Sequence, residues 1–327
     1  MIMVSNKHKI TTAVLLSVFT LFCFLPSNAA FAAAADPDSL IAPGVYAASD
    51  EGLASLKEHI SSLEKIIELN VTRAEKIPVL LYHHLAKEEE LTPAQRQNDN
   101  VMSVEQFSEQ MKYLYDNKYY TASLYELELY IAGKMILPER TVVITFDDGY
   151  RSNTKYAYPI LKKYDFKAAI FLITSLIGEK ENVIEHASWS DLKKCGDVFS
   201  YHSHSHNLHK LQKDGSSTFA TSNASTITED LLITKALLST SYIAYPYGQI
   251  NRAIKKATAD AGFRMGFTTV ADYAKRRIDP TEIPRFTISP NIDLAAFEAI
   301  CSGLSNLPPA GNAPADDALA ANPAVNA

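Results

Sequence analysis

The 327-residue chain has little glycine, one tryptophan, three cysteines and no excess of basic charge. Twelve glycines leave no room for glycine-rich linkers or repeats, and no internal period marks a solenoid or propeller. A formal charge of −6 argues against a nucleic-acid binder held by a broad basic surface. Hydrophobic residues make up 47% and charged residues 21%, which excludes a wholly disordered or collagen-like chain. The length fits one large domain or two small ones.

The first 32 residues read as an address. Lys7, His8 and Lys9 precede an apolar run from Ile10 to Leu25, and Pro26 ends it. Ser27-Asn28-Ala29 and Ala30-Phe31-Ala32 then offer small-residue cleavage sites. That order predicts a signal peptide cleaved near Ala29 or Ala32 and a secreted or cell-surface protein. A retained membrane anchor is the alternative, because the run is borderline in length. No second apolar span follows, so no stable membrane span is expected after cleavage. Cys23 lies inside the run behind Phe22, a poor lipoprotein site. Of the other two cysteines, Cys195 and Cys301 are expected to be buried and unpaired.

Residues 33–76 read as a linker and an amphipathic helix. Leu53, Leu56, Ile60, Leu63, Ile66 and Ile67 recur at three- and four-residue steps between Glu51 and Leu69. Such a helix would pack on the domain or space it from the cell surface. Residues 77–304 alternate short β-rich runs with helical patterns. Strands are predicted at Ile77–His83, Thr141–Phe146, Ala168–Thr174, Asp197–Tyr201, Ser241–Tyr245 and Met265–Thr269. Helices are predicted at 104–117, 123–133, 153–164, 189–194, 227–238, 250–261 and 294–303. This is an α/β pattern, a parallel sheet with crossover helices curled into a distorted (β/α) barrel. Residues 305–327, rich in alanine, proline and asparagine, read as a disordered tail.

Polar residues collect after the predicted strands, where β/α barrels place their active sites. Thr141–Phe146 runs into Asp147-Asp148-Gly149-Tyr150. Alternation along the strand lets one carboxylate bind a metal while the other faces substrate. A turn and helix cap is the competing reading of Asp-Asp-Gly. His202, His204, His206 and His209 then fall within eight residues, a density that points to metal ligation. A carboxylate and two imidazoles leave positions on a divalent metal for water and substrate. Zinc is the default ion, and nickel or cobalt suit the same donors.

Thr145-Phe-Asp-Asp-Gly149, the stretch from His202 to His209, and Tyr245-Pro-Tyr-Gly248 together resemble the polysaccharide deacetylases, carbohydrate esterase family 4. The resemblance spans about Ile77 to Cys301. It implies Asp147 as general base, Asp148 as carboxylate ligand, and two histidines completing the metal site. His204 and His209 match the branch of poly-N-acetylglucosamine deacetylases; His202 and His206 are the alternative pair. In that branch the motif order is permuted, and the general acid precedes the Asp-Asp motif. Tyr82-His83-His84 is similar to that element, which implies His83 as the acid, against a structural histidine at a strand edge. His84 should point the other way. Tyr247 would present its backbone N–H to the oxyanion.

One position departs from the family pattern. Ala244 stands where many members carry the arginine that orients the base. Arg285 is the expected substitute, against a surface salt bridge. Trp189 could line the sugar groove or pack in the core. The implied activity is metal-dependent removal of N-acetyl groups from an acetylated amino-sugar polymer, either an exopolysaccharide or peptidoglycan. An O-acetyl glycan esterase and a non-catalytic glycan-binding protein on the same fold are the alternatives.

Overall fold

The computed structural model describes residues 73–304 apart from 182–183. The expected signal peptide, the amphipathic helix expected at 51–69 and the Ala/Pro-rich segment from 305 lie outside the described residues. Among the described residues, no helix is long and apolar enough to cross a membrane.

Eight strands form one parallel sheet: β1 (Val79–Tyr82), β2 (Tyr120–Thr121), β3 (Thr141–Phe146), β4 (Ala168–Leu172), β5 (Phe199–Ser203), β6 (Tyr242–Ala244), β7 (Met265–Phe267) and β8 (Phe286–Thr287). Their order is β7-β6-β5-β4-β3-β1-β8, and β2 pairs with the start of β3. The two edges meet through one segment. Ile283 bridges Phe267 of β7, while Phe286 and Thr287 pair with Leu80 and Leu81 of β1. The sheet therefore curls round into the distorted barrel that the alternating pattern predicts.

Both faces of the strands are buried, as a parallel sheet under helices requires. Leu80, Val142, Ile144, Phe146, Ile170 and Leu172 pack outward with the helices. Val79, Val143, Ala169, Phe171, Ala244 and Phe267 fill the other side with Ile283. The alternation along β3 thus puts Val143 on the inner face and carries that face on to Thr145 and Asp147.

The principal helices are α1 (Val104–Asp116), α2 (Leu124–Ile131), α3 (Tyr158–Lys163), α4 (Trp189–Lys194), α5 (Ala224–Leu238), α6 (Arg252–Asp260) and α7 (Leu294–Cys301). Polar N-caps begin six of them. Ser103, Ser123, Ser188, Asn223, Asn251 and Asp293 each accept a hydrogen bond from a first-turn amide.

Some boundaries differ from the sequence reading. The strand predicted over Ile77–His83 is split at Pro78, which has no N–H to donate; Lys76–Ile77 and Val79–Tyr82 are separate, and His84–Ala86 pairs elsewhere with Val101–Ser103. The strand predicted from Asp197 starts at Phe199, because Val198 and Phe199 still donate to the Cys195 carbonyl at the end of α4. The helix predicted from Asn153 opens with a π-turn, Asn153–Ala157, before α3. Cys195 and Cys301 are buried and unpaired, as expected. Trp189 is 49% exposed at the first turn of α4, so its core-packing reading does not hold.

Candidate active site

Every candidate group sits just past a strand of the barrel or on the segment that closes it. Asp147 and Asp148 follow β3, His83 follows β1, His204 follows β5, and Tyr247 comes three residues after β6. Arg285 lies on the closing segment, just before β8.

The two aspartates diverge because the chain turns sharply between them. Asp148 has φ +70° and Gly149 φ +80°, both left-handed. Asp tolerates that region better than most side chains. Gly149 is required there, since an added Cβ would lie 2.6 Å from Leu172 Cδ2. Tyr247 and Gly248 repeat the device at φ +58° and +66°.

Asp147 is buried and paired with Arg285. The guanidinium Nη1 donates to Oδ1 and Nη2 to Oδ2, each at 2.7 Å. Arg285 is fully buried, and its Nε donates to the Thr268 carbonyl at 3.0 Å. The surface salt-bridge reading of Arg285 is therefore overturned. The position of Ala244 has its own use: the Ala244 carbonyl accepts from His204 Nδ1 at 2.8 Å. Burial raises the pKa of Asp147, but the charges of Arg285 and His204 outweigh it and hold the carboxyl below its ordinary value.

Asp148, His204 and His209 converge. One ligand atom from each lies within 4.8 Å of the others. Asp148 Oδ1 is 3.4 Å from His204 Nε2 and 3.5 Å from His209 Nε2. That same Oδ1 is buried without a hydrogen-bond partner. Burying an unpaired carboxylate oxygen is costly unless a cation completes it. His204 Nδ1 donates to a carbonyl, which fixes the tautomer and leaves Nε2 as a lone-pair donor. Burial lowers His209 to about 4, so its imidazole is neutral and available as a ligand at neutral pH. Asp148 is held down to about 2: burial opposes ionisation, but His209, His204 and His83 favour it, with a hydrogen bond from Tyr150. Two imidazole nitrogens and a carboxylate oxygen suit zinc. These residues fit a divalent metal.

The alternative pair is not assembled. His202 points away from Asp148, with Nδ1 at 2.7 Å from Thr240 Oγ1 and Nε2 at 2.9 Å from Ser200 Oγ. His206 Nδ1 contacts Thr174 Oγ1 at 2.9 Å. Strand alternation puts His202 and His204 on the same face; His202 lies one step back along the strand, against Phe171 and Tyr242, whereas His204 sits just past the strand end beside Asp148.

His83 lies within electrostatic reach of both aspartates; burial lowers its pKa, while Asp148 and Asp147 push it back up. His84 turns elsewhere, with Nδ1 3.0 Å from Ser152 Oγ. The Tyr247 ring stacks on His209 with centroids 4.4 Å apart.

Three supporting residues were not singled out from the sequence. Tyr150 hydrogen-bonds the Asp148 side chain. Asn153, fully buried in the π-turn, donates from Nδ2 to the His83 carbonyl at 2.7 Å. Asp230 on α5 accepts from the amides of His206 and Asn207. Tyr150 and Asn153 follow the Asp-Asp-Gly motif closely enough to be suspected. Asp230 carries no local signal.

A family profile described as polysaccharide deacetylase matches residues 134–266, which contain both aspartates and all four clustered histidines. YxkH of Bacillus subtilis, described as a polysaccharide deacetylase, is 31% identical over 224 residues, covering 68% of this chain and 75% of that one. The chain belongs to the polysaccharide deacetylase family. The poly-β-1,6-N-acetyl-D-glucosamine N-deacetylase of Staphylococcus aureus is 32% identical over 200 residues, 58% of this chain and 68% of that one. Among solved structures, IcaB from Ammonifex degensii shares this deacetylase fold with a TM-score of 0.62 at 24% identity, covering 70% of this chain and 98% of that one. The Streptococcus pyogenes deacetylase PplD, solved with acetate, gives 0.61 at 26% identity, covering 70% and 99%.

Proposed function

We propose that this family member is a secreted, zinc-dependent N-deacetylase acting on a polymer that contains N-acetylglucosamine. The observation that carries the reading is the adjacency of two differently equipped carboxylates. Asp148 faces two free imidazole nitrogens, and Asp147 beside it is held ionised by Arg285. The named activity of the Staphylococcus aureus relative supports the substrate class. Lys7 to Ala32 supports export, and residues 77–304 would be the catalytic domain.

Asp148, His204 and His209 would hold the metal. A divalent cation there supplies Lewis acidity toward water and an acyl oxygen. Asp147 is the base that takes a proton from the attacking water at a carboxylate oxygen. Arg285 keeps that carboxylate oriented through a planar two-bond fork. The Tyr247 N–H donates to the developing oxyanion. His83 gives a proton to the departing nitrogen. Acetate leaves, and the polymer keeps a free amine that is cationic at neutral pH.

The test is acetate release by the protein from Ala33 onward, on N-acetylglucosamine oligomers. It is run metal-free, with zinc, and with Asp147→Asn. Zinc-dependent release that the substitution abolishes is the expected result. Zinc binding without release would reject the N-acetyl substrate, and release from O-acetylated xylan would put an ester in its place.

A further inference from the structure

The loop from His204 to His209 must hold two imidazoles at a fixed separation without a helix to do it. Its Ser205 takes a left-handed backbone, φ +69°. Its carbonyls are tied down on two sides. Thr174 and Ser175 donate to the carbonyls of Ser205 and His206, and Phe219 donates to that of Leu208. Two of its central amides point the other way, into α5. There Asp230, itself 7% exposed, accepts from His206 N at 2.7 Å through Oδ1 and from Asn207 N at 2.8 Å through Oδ2. One buried carboxylate thus clasps two consecutive amides midway between the two histidines. Charge-assisted bonds of this kind are shorter and stronger than neutral ones. The proposed reaction assigns Asp230 no proton and no contact with the reacting atoms.

We propose that Asp230 is a positioning residue for the metal site, setting the distance between His204 and His209 through the loop amides. The inference rests on reading Asp148, His204 and His209 as the ligands. An asparagine at 230 keeps the shape but presents an N–H₂ to one of the two amides. The loop then relaxes, and the ligand atoms lose their common focus. Groups one step behind the ligands typically change metal affinity by about 10- to 100-fold.

Zinc affinity is measured by competition with a chromogenic chelator, on the chain from Ala33 onward. The variants are Asp230→Asn, Asp230→Glu and Glu128→Gln. Glu128 pairs with Arg264 far from this loop in sequence and serves as the yardstick for plain destabilisation. The expected result is a loss of about 10-fold or more for Asp230→Asn. Glu128→Gln should lower Tm while leaving zinc affinity unchanged. Cobalt-substituted Asp230→Asn should also show a shifted visible spectrum. Asp230→Glu keeps the charge one methylene too far, so it should fold and bind zinc more weakly; it decides the matter if the asparagine variant does not fold. Parent-like zinc affinity in either Asp230 variant overturns the inference and leaves the metal site standing. Absence of zinc binding in the parent overturns the metal site itself.

Discussion

Arg285 and Asp147 face each other through two hydrogen bonds of 2.7 Å, with both side chains buried. A buried pair of this kind is weak evidence for net stability but costly to break from one side. Arg285→Met should therefore destabilise the fold by about 3 kcal/mol in denaturant unfolding. Adding Asp147→Asn to that variant should return part of the loss, because no uncompensated charge remains. A double variant no more stable than Arg285→Met would mean that the pair is not the source of the penalty. Arg285→Lys keeps the charge without the fork, and should lower kcat by about 100-fold with a smaller change in KM.

The two histidine pairs make opposite predictions. His204→Ala and His209→Ala should each remove zinc binding measured by titration, and chelator treatment of the parent should abolish acetate release. His202→Asn should bind zinc like the parent, since His202 is engaged by Thr240 and Ser200. Loss of zinc in the His202 variant with retention in His209→Ala would reverse the assignment.

The parts legible in the sequence were those with local grammar. β3 and α4 appear at their predicted ends because an apolar β-branched run meets Asp-Asp-Gly, and because Ser188 caps a short helix. The metal-site candidates were visible as clustered residue types. Choosing among four histidines needs the folded chain, since His202 and His204 share a strand face and only the end of β5 at Ser203 carries His204 beyond the strand to Asp148. Arg285 could be suspected but not placed, because its partner lies 138 residues away across the ring closure. Strand β2 and strand β8 are two residues each, too short to leave a periodic signal. Asp230 looks like any polar residue on an amphipathic helix until the loop it grips is folded against it.

The two thiols should be inert. Burial is the first cause in both: it pushes Cys195 up to about 11 and raises Cys301 well above the ordinary thiol range. The thiolate is the reactive form. Iodoacetamide at pH near 8 should therefore label neither in the folded protein over a period that labels both after denaturation. Rapid labelling of one thiol under native conditions would place it in a more open setting than the buried one described.

Stability should fall as the solution is acidified through the imidazole range, and His84 supplies one identifiable share. Burial, then the charge of His186, lowers its pKa from 6.5 to about 4. Ser152 Oγ accepts from the Leu85 amide, so its own hydrogen is free to be donated into His84 Nδ1, which requires the neutral ring. Above pH of about 6.5 both folded and unfolded chains carry neutral His84, and no penalty arises. Between about 6.5 and about 4 the unfolded chain takes up a proton that the folded one refuses, so the folded state loses ground; the loss reaches about 2 kcal/mol near pH 5. Below about 4 the folded ring also protonates and this contribution levels off. His84→Asn removes the titrating group and leaves an oxygen to accept from Ser152. Its unfolding free energy, measured in urea across this window, should show a shallower acid slope than the parent. Equal slopes would mean that His84 is protonated in the folded protein as readily as in the unfolded chain, and that the Ser152 hydrogen points elsewhere.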